Sequence, residues 1–194
     1  MGRTILEMIG EFGKNVLAMT GTDVQAKVMS GSDKITSRTN PVVVARWMKE
    51  AVGRLDGLTG KKIRCGIMAK CGTACIRANG VFIPRAEARR KKYASEDDFL
   101  AAEVRKPLAG TRLERRGNIL FHTYTPRSFQ PPRRCYCVLV GALPPGEVIS
   151  PTYCECSKAF LKTYWEAALG RPLKVDVFET ALTGADECRF RIAL

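Results

Sequence analysis

The chain has 194 residues, of which 45% are hydrophobic and 26% charged, and 32 Lys and Arg against 19 Asp and Glu give a formal net charge of +13. This composition excludes wholesale disorder and collagen-like repetition, and no apolar run reaches the roughly 20 residues of a membrane-spanning helix. The first residues meet acids too early for a secretory signal, so we expect a cytoplasmic protein with no membrane contact. In that reducing compartment, the eight cysteines are better explained as metal ligands, reactive thiols or core residues than as disulfides.

Helical periodicity dominates the first hundred residues. Apolar residues at steps of three and four predict a helix over residues 3–19, and Asn40 followed by Pro41 predicts the start of a second one. A third helix should carry Cys71 and Cys75 and end at Asn79-Gly80, and a short fourth should follow Ser95. These elements define an N-terminal helical region over residues 1–106.

The pattern changes after residue 106. Residues 111–114, 119–124 and 134–140 have the β-branched and aromatic character of strands, and residues 173–182 and 188–194 predict two more. Between them, residues 157–169 have helical periodicity and end at Gly170-Arg171-Pro172. The prediction is an α+β fold, in which N-terminal helices precede an antiparallel sheet with one long helix packed across it. Residues 107–194 form this part, as a second domain or within one compact unit.

The positive charge is local. Residues 61–134 hold 18 basic and 6 acidic residues, concentrated in residues 85–92, 112–116 and 133–134. Such a field attracts nucleic acid, phosphates or carboxylates, although a solvated helix face explains it equally well. Aromatic side chains for base stacking are sparse near these runs, so a nucleic-acid partner is not the favoured interpretation.

Five cysteines in the C-terminal part have the spacing of metal ligands. Two C-x-C pairs and a later single cysteine could bring four sulfurs around a zinc ion. The alternatives are a redox or catalytic thiol role and simple packing, because free cysteine is often buried. The predicted metal ligands are Cys135, Cys137, Cys154, Cys156 and Cys188.

The remaining cysteines, Cys65, Cys71 and Cys75, precede the sheet. Cys71 and Cys75 would share a helix face, and Lys70 beside Cys71 is expected to lower the pKa of its thiol. Both are therefore candidate catalytic thiols or soft-metal ligands, while packing is the main alternative. An iron–sulfur cluster is less favoured than zinc, because C-x5-C-x3-C is not a familiar cluster motif. His122, the single histidine, is a third catalytic candidate.

Three C-terminal runs then carry a resemblance: Tyr153-Cys154-Glu155-Cys156-Ser157, residues 165–172 ending in Gly170-Arg171-Pro172, and residues 179–190 with their Gly-x-Asp turn and Cys-x-Phe strand. Residues 119–194 resemble the 4-vinyl-reductase-type small-molecule-binding domain and the related L-2-amino-thiazoline-4-carboxylic acid hydrolase family. The resemblance implies an α+β domain with a buried pocket, which in sensor members binds an aromatic effector near a structural zinc site.

Carried over by position, Cys154 and Cys188 match the outer two zinc ligands of those sensors. The two strand positions fall on Val177 and Thr180, which cannot bind zinc in the same way, so another cysteine would have to replace them. The pocket would lie between the long helix and the sheet. Its candidate lining residues on that helix are Phe160, Tyr164 and Trp165.

The leading hypothesis is a small-molecule-binding protein with a cysteine-rich zinc site beside an apolar pocket. One alternative is a cysteine- or metal-dependent hydrolase of a small cyclic C–N or C–S substrate of the thiazoline carboxylate type. A second alternative is a basic, zinc-containing nucleic-acid-binding protein. The prediction leaves open a homodimer.

Overall fold

A computed structural model of the chain describes residues 3–126 and 134–194. It contains seven α-helices and four β-strands, with short 3-10 turns at residues 32–34, 151–154 and 181–183. The helices are α1 (Ile5–Thr20), α2 (Thr22–Val28), α3 (Pro41–Leu58), α4 (Lys61–Asn79), α5 (Phe82–Arg90), α6 (Glu96–Arg105) and α7 (Glu155–Leu169). The strands are β1 (Thr111–Arg116), β2 (Ile119–Tyr124), β3 (Lys174–Glu179) and β4 (Cys188–Ala193). In the described part of the chain, no helix has the length and apolar character needed to cross a membrane.

Local capping explains where several helices begin. The Thr4 hydroxyl accepts the Glu7 amide at 3.2 Å and the Glu7 carboxylate accepts the Thr4 amide at 2.7 Å, which satisfies two free donors of α1. Asn40 caps α3 as predicted, with its side chain accepting the Val42 amide. Sequence periodicity missed α2 and α5, because seven and nine residues are too few to show a clear apolar repeat.

The four strands form one antiparallel sheet in the order β1-β2-β4-β3. Helix α6 packs against β1 and α7 against β3, while α7 also lies along α4 and α5. The predicted α+β architecture is thus confirmed, including the long helix on the sheet.

The buried residues divide into two cores. The first joins α1 to α4 with residues 139–154 and includes Phe12, Met48 and Leu55. The second lies between the inner face of the sheet and helices α5 to α7, and it includes Trp165 and Phe190. Cysteines of the first core and Cys188 of the second meet at the boundary between them.

The strand predicted at residues 134–140 is wrong. Residues 134–143 form a loop in which the Gly141 amide donates to the Cys137 carbonyl at 2.8 Å, as does the Val140 amide at 3.2 Å. Leu139 and Val140 are buried in the first core, so their β propensity is satisfied by packing against helices rather than by strand pairing. The predicted strand at residues 173–182 is also shorter than expected, because the chain turns at residues 181–183.

Candidate metal centre

Seven of the eight cysteines lie near enough to one another, at the boundary between the two cores, for charge on one thiol to raise the pKa of another. All eight are free thiols. We call the seven the thiol cluster. Helix α4 contributes Cys71 and Cys75, the loop Cys135 and Cys137, the start of α7 Cys154 and Cys156, and the start of β4 Cys188.

Gly72 allows α4 to approach the start of α7. A Cβ atom at this position would lie 2.8 Å from the carbonyl carbon of Cys156 and would collide with its oxygen. Cys71 precedes Gly72, and Cys75 lies one turn further along the same helix, so the close approach brings both of them to Cys156. The Cys-Gly-x-x-Cys run was therefore a signal of contact that the cysteine spacing alone did not reveal.

The loop that carries Cys135 and Cys137 is held by Arg134. Its guanidinium donates to the carbonyl oxygens of Pro144 and Ala181, each at 2.8 Å, and also to that of Glu147. One side chain thus joins both ends of the loop to the turn that precedes β4. The predicted placement of Cys135 and Cys137 on one face of a strand is wrong, because these bonds replace a strand ladder.

Protein donors point at the sulfur atoms of the cluster. Four of these hydrogen bonds run from Asn15 Nδ2 to Cys71 Sγ (3.4 Å), from Cys137 N to Cys135 Sγ (3.5 Å), from Tyr153 Oη to Cys137 Sγ (3.0 Å) and from Ala181 N to Cys188 Sγ (3.3 Å). A fifth joins the Thr180 side chain to Cys154. Where the resemblance would need a zinc ligand, the chain therefore has a side chain that hydrogen-bonds to a thiol.

Burial raises the pKa of every thiol in the cluster. It raises the pKa of Cys71 to about 11 and that of Cys154 to about 12. Beyond burial, negative charge on Cys137, Cys71 and Cys75 raises the pKa of Cys156, which shows how closely these four groups interact. The expectation that Lys70 lowers the pKa of Cys71 is wrong, because removal from water outweighs the nearby cations.

The thiols are not arranged around a metal ion in the conformations shown. Within residues 3–126 and 134–194, no three His, Cys, Asp or Glu side chains are grouped closely enough to hold one. Four of the sulfur-bearing residues, Cys71, Cys135, Cys137 and Cys156, nevertheless keep partial solvent exposure although they pack against the first core. A change of χ1 rotamer moves a cysteine sulfur by about 3 Å, so metal binding would require several of these side chains to change rotamer.

His122 lies on the inner face of the sheet, whereas the side chain of the preceding residue, Phe121, projects from the outer face. It is 4% exposed, and its Nδ1 accepts the Trp165 indole N–H at 3.2 Å. Its Nε2 has no hydrogen-bond partner in the described part of the chain. Burial lowers the pKa of His122 to about 3, so the imidazole is neutral at physiological pH. The ring also contacts Tyr124, whose hydroxyl pKa is raised by burial and by Cys135 and Cys188.

The three predicted pocket residues of α7 are packed in the second core. Trp165 is 1% exposed and Tyr164 4%, and their rings contact each other at right angles. Phe160 is partly buried and meets Phe82 of α5 edge to face, with ring centroids 5.2 Å apart. Their contact with a ligand stays a prediction.

The basic run at residues 85–92 is partly structural. It overlaps α5, where Arg89 pairs with the buried Glu103 at 2.6 Å. Arg90 donates to the Tyr93 carbonyl and lies over the Phe99 ring. These two side chains stabilise the packing of α5 on α6 and are unavailable for a polyanion. Residues 127–133, which include the start of the basic pair at 133–134, lie outside the described residues.

Comparison with known proteins identifies no family. No protein-family model matches the chain, and no curated protein matches it significantly. A solved structure reported as "Modulating Heme Redox Potential Through Protein-Induced Porphyrin Distortion" is 14% identical and covers 97% of this chain and 98% of its own, with a TM-score of 0.43. A likeness at this level provides no argument for a shared fold or ligand.

Proposed function

We propose that this chain is a metal-binding protein whose thiol cluster holds a soft metal ion, zinc in the first place. The observation that carries the proposal is the set of hydrogen bonds donated to the sulfur atoms, among them those from Asn15 and Tyr153. Such donors stabilise thiolates and orient them, which is the usual role of groups that surround metal ligands.

The principal ligands in this proposal are Cys71, Cys75, Cys137 and Cys156. They come from three separate segments, and their charges act on one another. Four thiolates at about 2.3 Å from the ion form the tetrahedral shell that structural zinc prefers. An all-sulfur shell also suits iron–sulfur clusters and excludes hard cations such as magnesium.

Cys135, Cys154 and Cys188 form the adjoining part of the cluster. Burial raises the pKa of Cys135, and negative charge on Cys137, Cys188 and Cys154 raises it further, so Cys135 connects the two parts of the cluster. They could replace a principal ligand or hold a second ion. In either case the centre would join α4 to the C-terminal sheet, and metal binding would stabilise that contact.

Metal analysis of purified protein tests the proposal. Protein prepared under reducing conditions without a metal-affinity tag should contain about one zinc or iron atom per chain or more by mass spectrometry of the elements. Cys137→Ser and Cys156→Ser should each lower that content several-fold. Cys65→Ser is the matched control, because Cys65 lies on α4 but interacts with Glu155, Lys158 and Arg64 rather than with the other thiols. Fewer than about 0.2 metal atoms per chain in the unmodified protein would refute the proposal.

A small-molecule ligand forms the second part of the proposal. It is supported by the resemblance of residues 119–194 and by the unpartnered Nε2 of His122, a buried donor beside Tyr124 at the border of the thiol cluster. A ligand with a carbonyl or carboxylate oxygen would satisfy that donor. A panel of small aromatic carboxylates should raise the melting temperature of the protein, and His122→Phe should abolish the effect. No shift with any member of the panel would argue against this part.

The hydrolase alternative has less support. A nucleophilic cysteine needs a low pKa, whereas burial raises the pKa of the candidate thiols Cys71 and Cys75. Incubation with a thiazoline carboxylate discriminates the two functions, since a binding protein returns the compound unchanged.

A further inference from the structure

The outer face of the sheet carries a stack of side chains that neither the metal centre nor the core uses. Alternate residues of each strand point away from the core, and they include aromatic and cationic groups. One residue comes from each strand in the spatial order of the sheet: Arg116 from β1, Phe121 from β2, Arg189 from β4 and Phe178 from β3.

Cations and rings alternate along this stack. The Arg116 guanidinium lies 5.5 Å from the centre of the Phe121 ring. The Arg189 guanidinium contacts two rings, with its carbon 4.7 Å from the centre of the Phe121 ring and 5.6 Å from the centre of the Phe178 ring. The arrangement orders the guanidinium groups by cation–π contact. It ends at Phe178, which is 65% exposed and therefore presents a free ring to solvent.

The charge around the stack is positive. Five cations project from this face against four carboxylates, and each cation forms an ion pair with Glu114, Asp176 or Glu187. The fourth carboxylate, Glu179, lies opposite Arg189 in the register of β3 and β4. The cations are Lys174, Arg112, Arg116, Arg189 and Arg191. Most are well exposed, with 74% of the Lys174 side chain and 62% of the Arg112 side chain accessible.

We propose that this face binds single-stranded nucleic acid. Unpaired bases stack on exposed aromatic rings and on arginine planes, and a four-stranded sheet with outward aromatics is a suitable platform. Phe178 offers the first stacking surface, with Arg189 and Phe121 behind it. Arg112, Arg191 and Lys174 would exchange their carboxylate partners for phosphates, because exposed ion pairs contribute little stability. The face carries more cations than carboxylates, which favours a polyanion as the partner over an apolar protein surface.

Fluorescence anisotropy of the full chain with labelled 12-nucleotide oligouridylate and oligothymidylate tests the proposal. Phe178→Ala should weaken binding by about tenfold, because one stacked base contributes about 1–3 kcal/mol. Phe178→Tyr should retain the affinity, since it keeps the ring. With about three phosphate contacts on a single strand, the logarithm of the affinity should fall with the logarithm of salt concentration with a slope of about −2.

Two control variants separate this face from other surfaces. Val81→Ala removes another exposed apolar side chain, 58% exposed and outside the sheet, and should leave binding unchanged. If Lys91→Ala with Lys92→Ala abolishes binding while Phe178→Ala does not, the basic run of α5 is the site and the proposal is overturned. Absence of saturable binding at low salt overturns it as well. A concentration-dependent dimer that Phe178→Ala dissociates, with no affinity for either oligonucleotide, would instead identify the face as a contact between two copies.

Discussion

The buried histidine gives the sharpest prediction for solution behaviour. In the folded chain the pKa of His122 is lowered from 6.5 to about 3 because burial removes the imidazole from water. The unfolded chain takes up a proton near pH 6.5, whereas the folded chain remains neutral until far lower pH. The folded state is therefore favoured above pH 6.5, and the free energy of unfolding should fall as the pH decreases through 6.5 toward 3.

The size of the effect follows from these two values. Below pH 6.5 the free energy of unfolding decreases by about 1.36 kcal/mol for each unit by which the pH falls. Acidification from pH 7 to pH 5 should therefore lower it by about 2 kcal/mol. His122 is the single histidine of the chain, so no second imidazole titrates in this window. The pKa values of Glu7, Glu114 and Glu147 are lowered by hydrogen bonds and nearby cations, which places their titration below it.

Urea unfolding at pH 7, 6 and 5, followed by tryptophan fluorescence under reducing conditions, measures the effect. His122→Asn is the control, because its side-chain oxygen can still accept the Trp165 indole N–H but does not titrate. The variant should lose about 2 kcal/mol less than the unmodified protein over the same interval. Equal losses in the two proteins would show that His122 is accessible to protons in the folded state and would refute the reasoning.

Three further predictions concern packing, a buried ion pair and the metal. Gly72→Ala should lower the metal content and the melting temperature, because the added methyl group would collide with Cys156. Gly53→Ala is the control: open space surrounds this position, so the substitution should stabilise α3 by about 0.5–1 kcal/mol. Equal melting temperatures of the two variants would contradict the proposed helix contact at Gly72. Glu103→Gln should lower the free energy of unfolding in urea by about 2 kcal/mol, because it leaves Arg89 without its buried charged partner. Glu114→Gln breaks an exposed ion pair with the same 2.6 Å distance and should cause no measurable change. Zinc affinity measured against a competing chelator should rise steeply between pH 6.5 and 8.5, by up to about four logarithmic units per pH unit, because protonated thiols must each release a proton; a pH-independent affinity would exclude thiolate ligation.

Much of the secondary structure could be predicted from local pattern. Asn40 with Pro41 marks the start of α3, and Gly80 marks the end of α4 with φ of +68°, because capping depends on residues close in sequence. Alternation along β2 puts His122 and Phe121 on opposite faces of the sheet, but only the packing of α7 shows that His122 faces the core.

Prediction failed where long-range contacts replaced local preference. The run from Cys135 to Val140 has strand-like composition, yet Arg134 and the first core hold it as a loop. The pKa of Cys71 likewise depends on burial by distant segments rather than on its neighbour Lys70.

The sequence by itself determined the fold class and placed five of the seven helices and all four strands, because helical and strand periodicity, caps and turns are properties of neighbouring residues. It could also show that the cysteines fall into groups of short spacing. Only the tertiary structure decided which groups meet. Cys71 and Cys75 reach Cys137 and Cys156 because Gly72 lets two helices approach, and that contact joins segments more than 60 residues apart. The stack on the outer sheet face has the same origin, since the strand order β1-β2-β4-β3 is set by hydrogen bonding between strands that are distant in the chain.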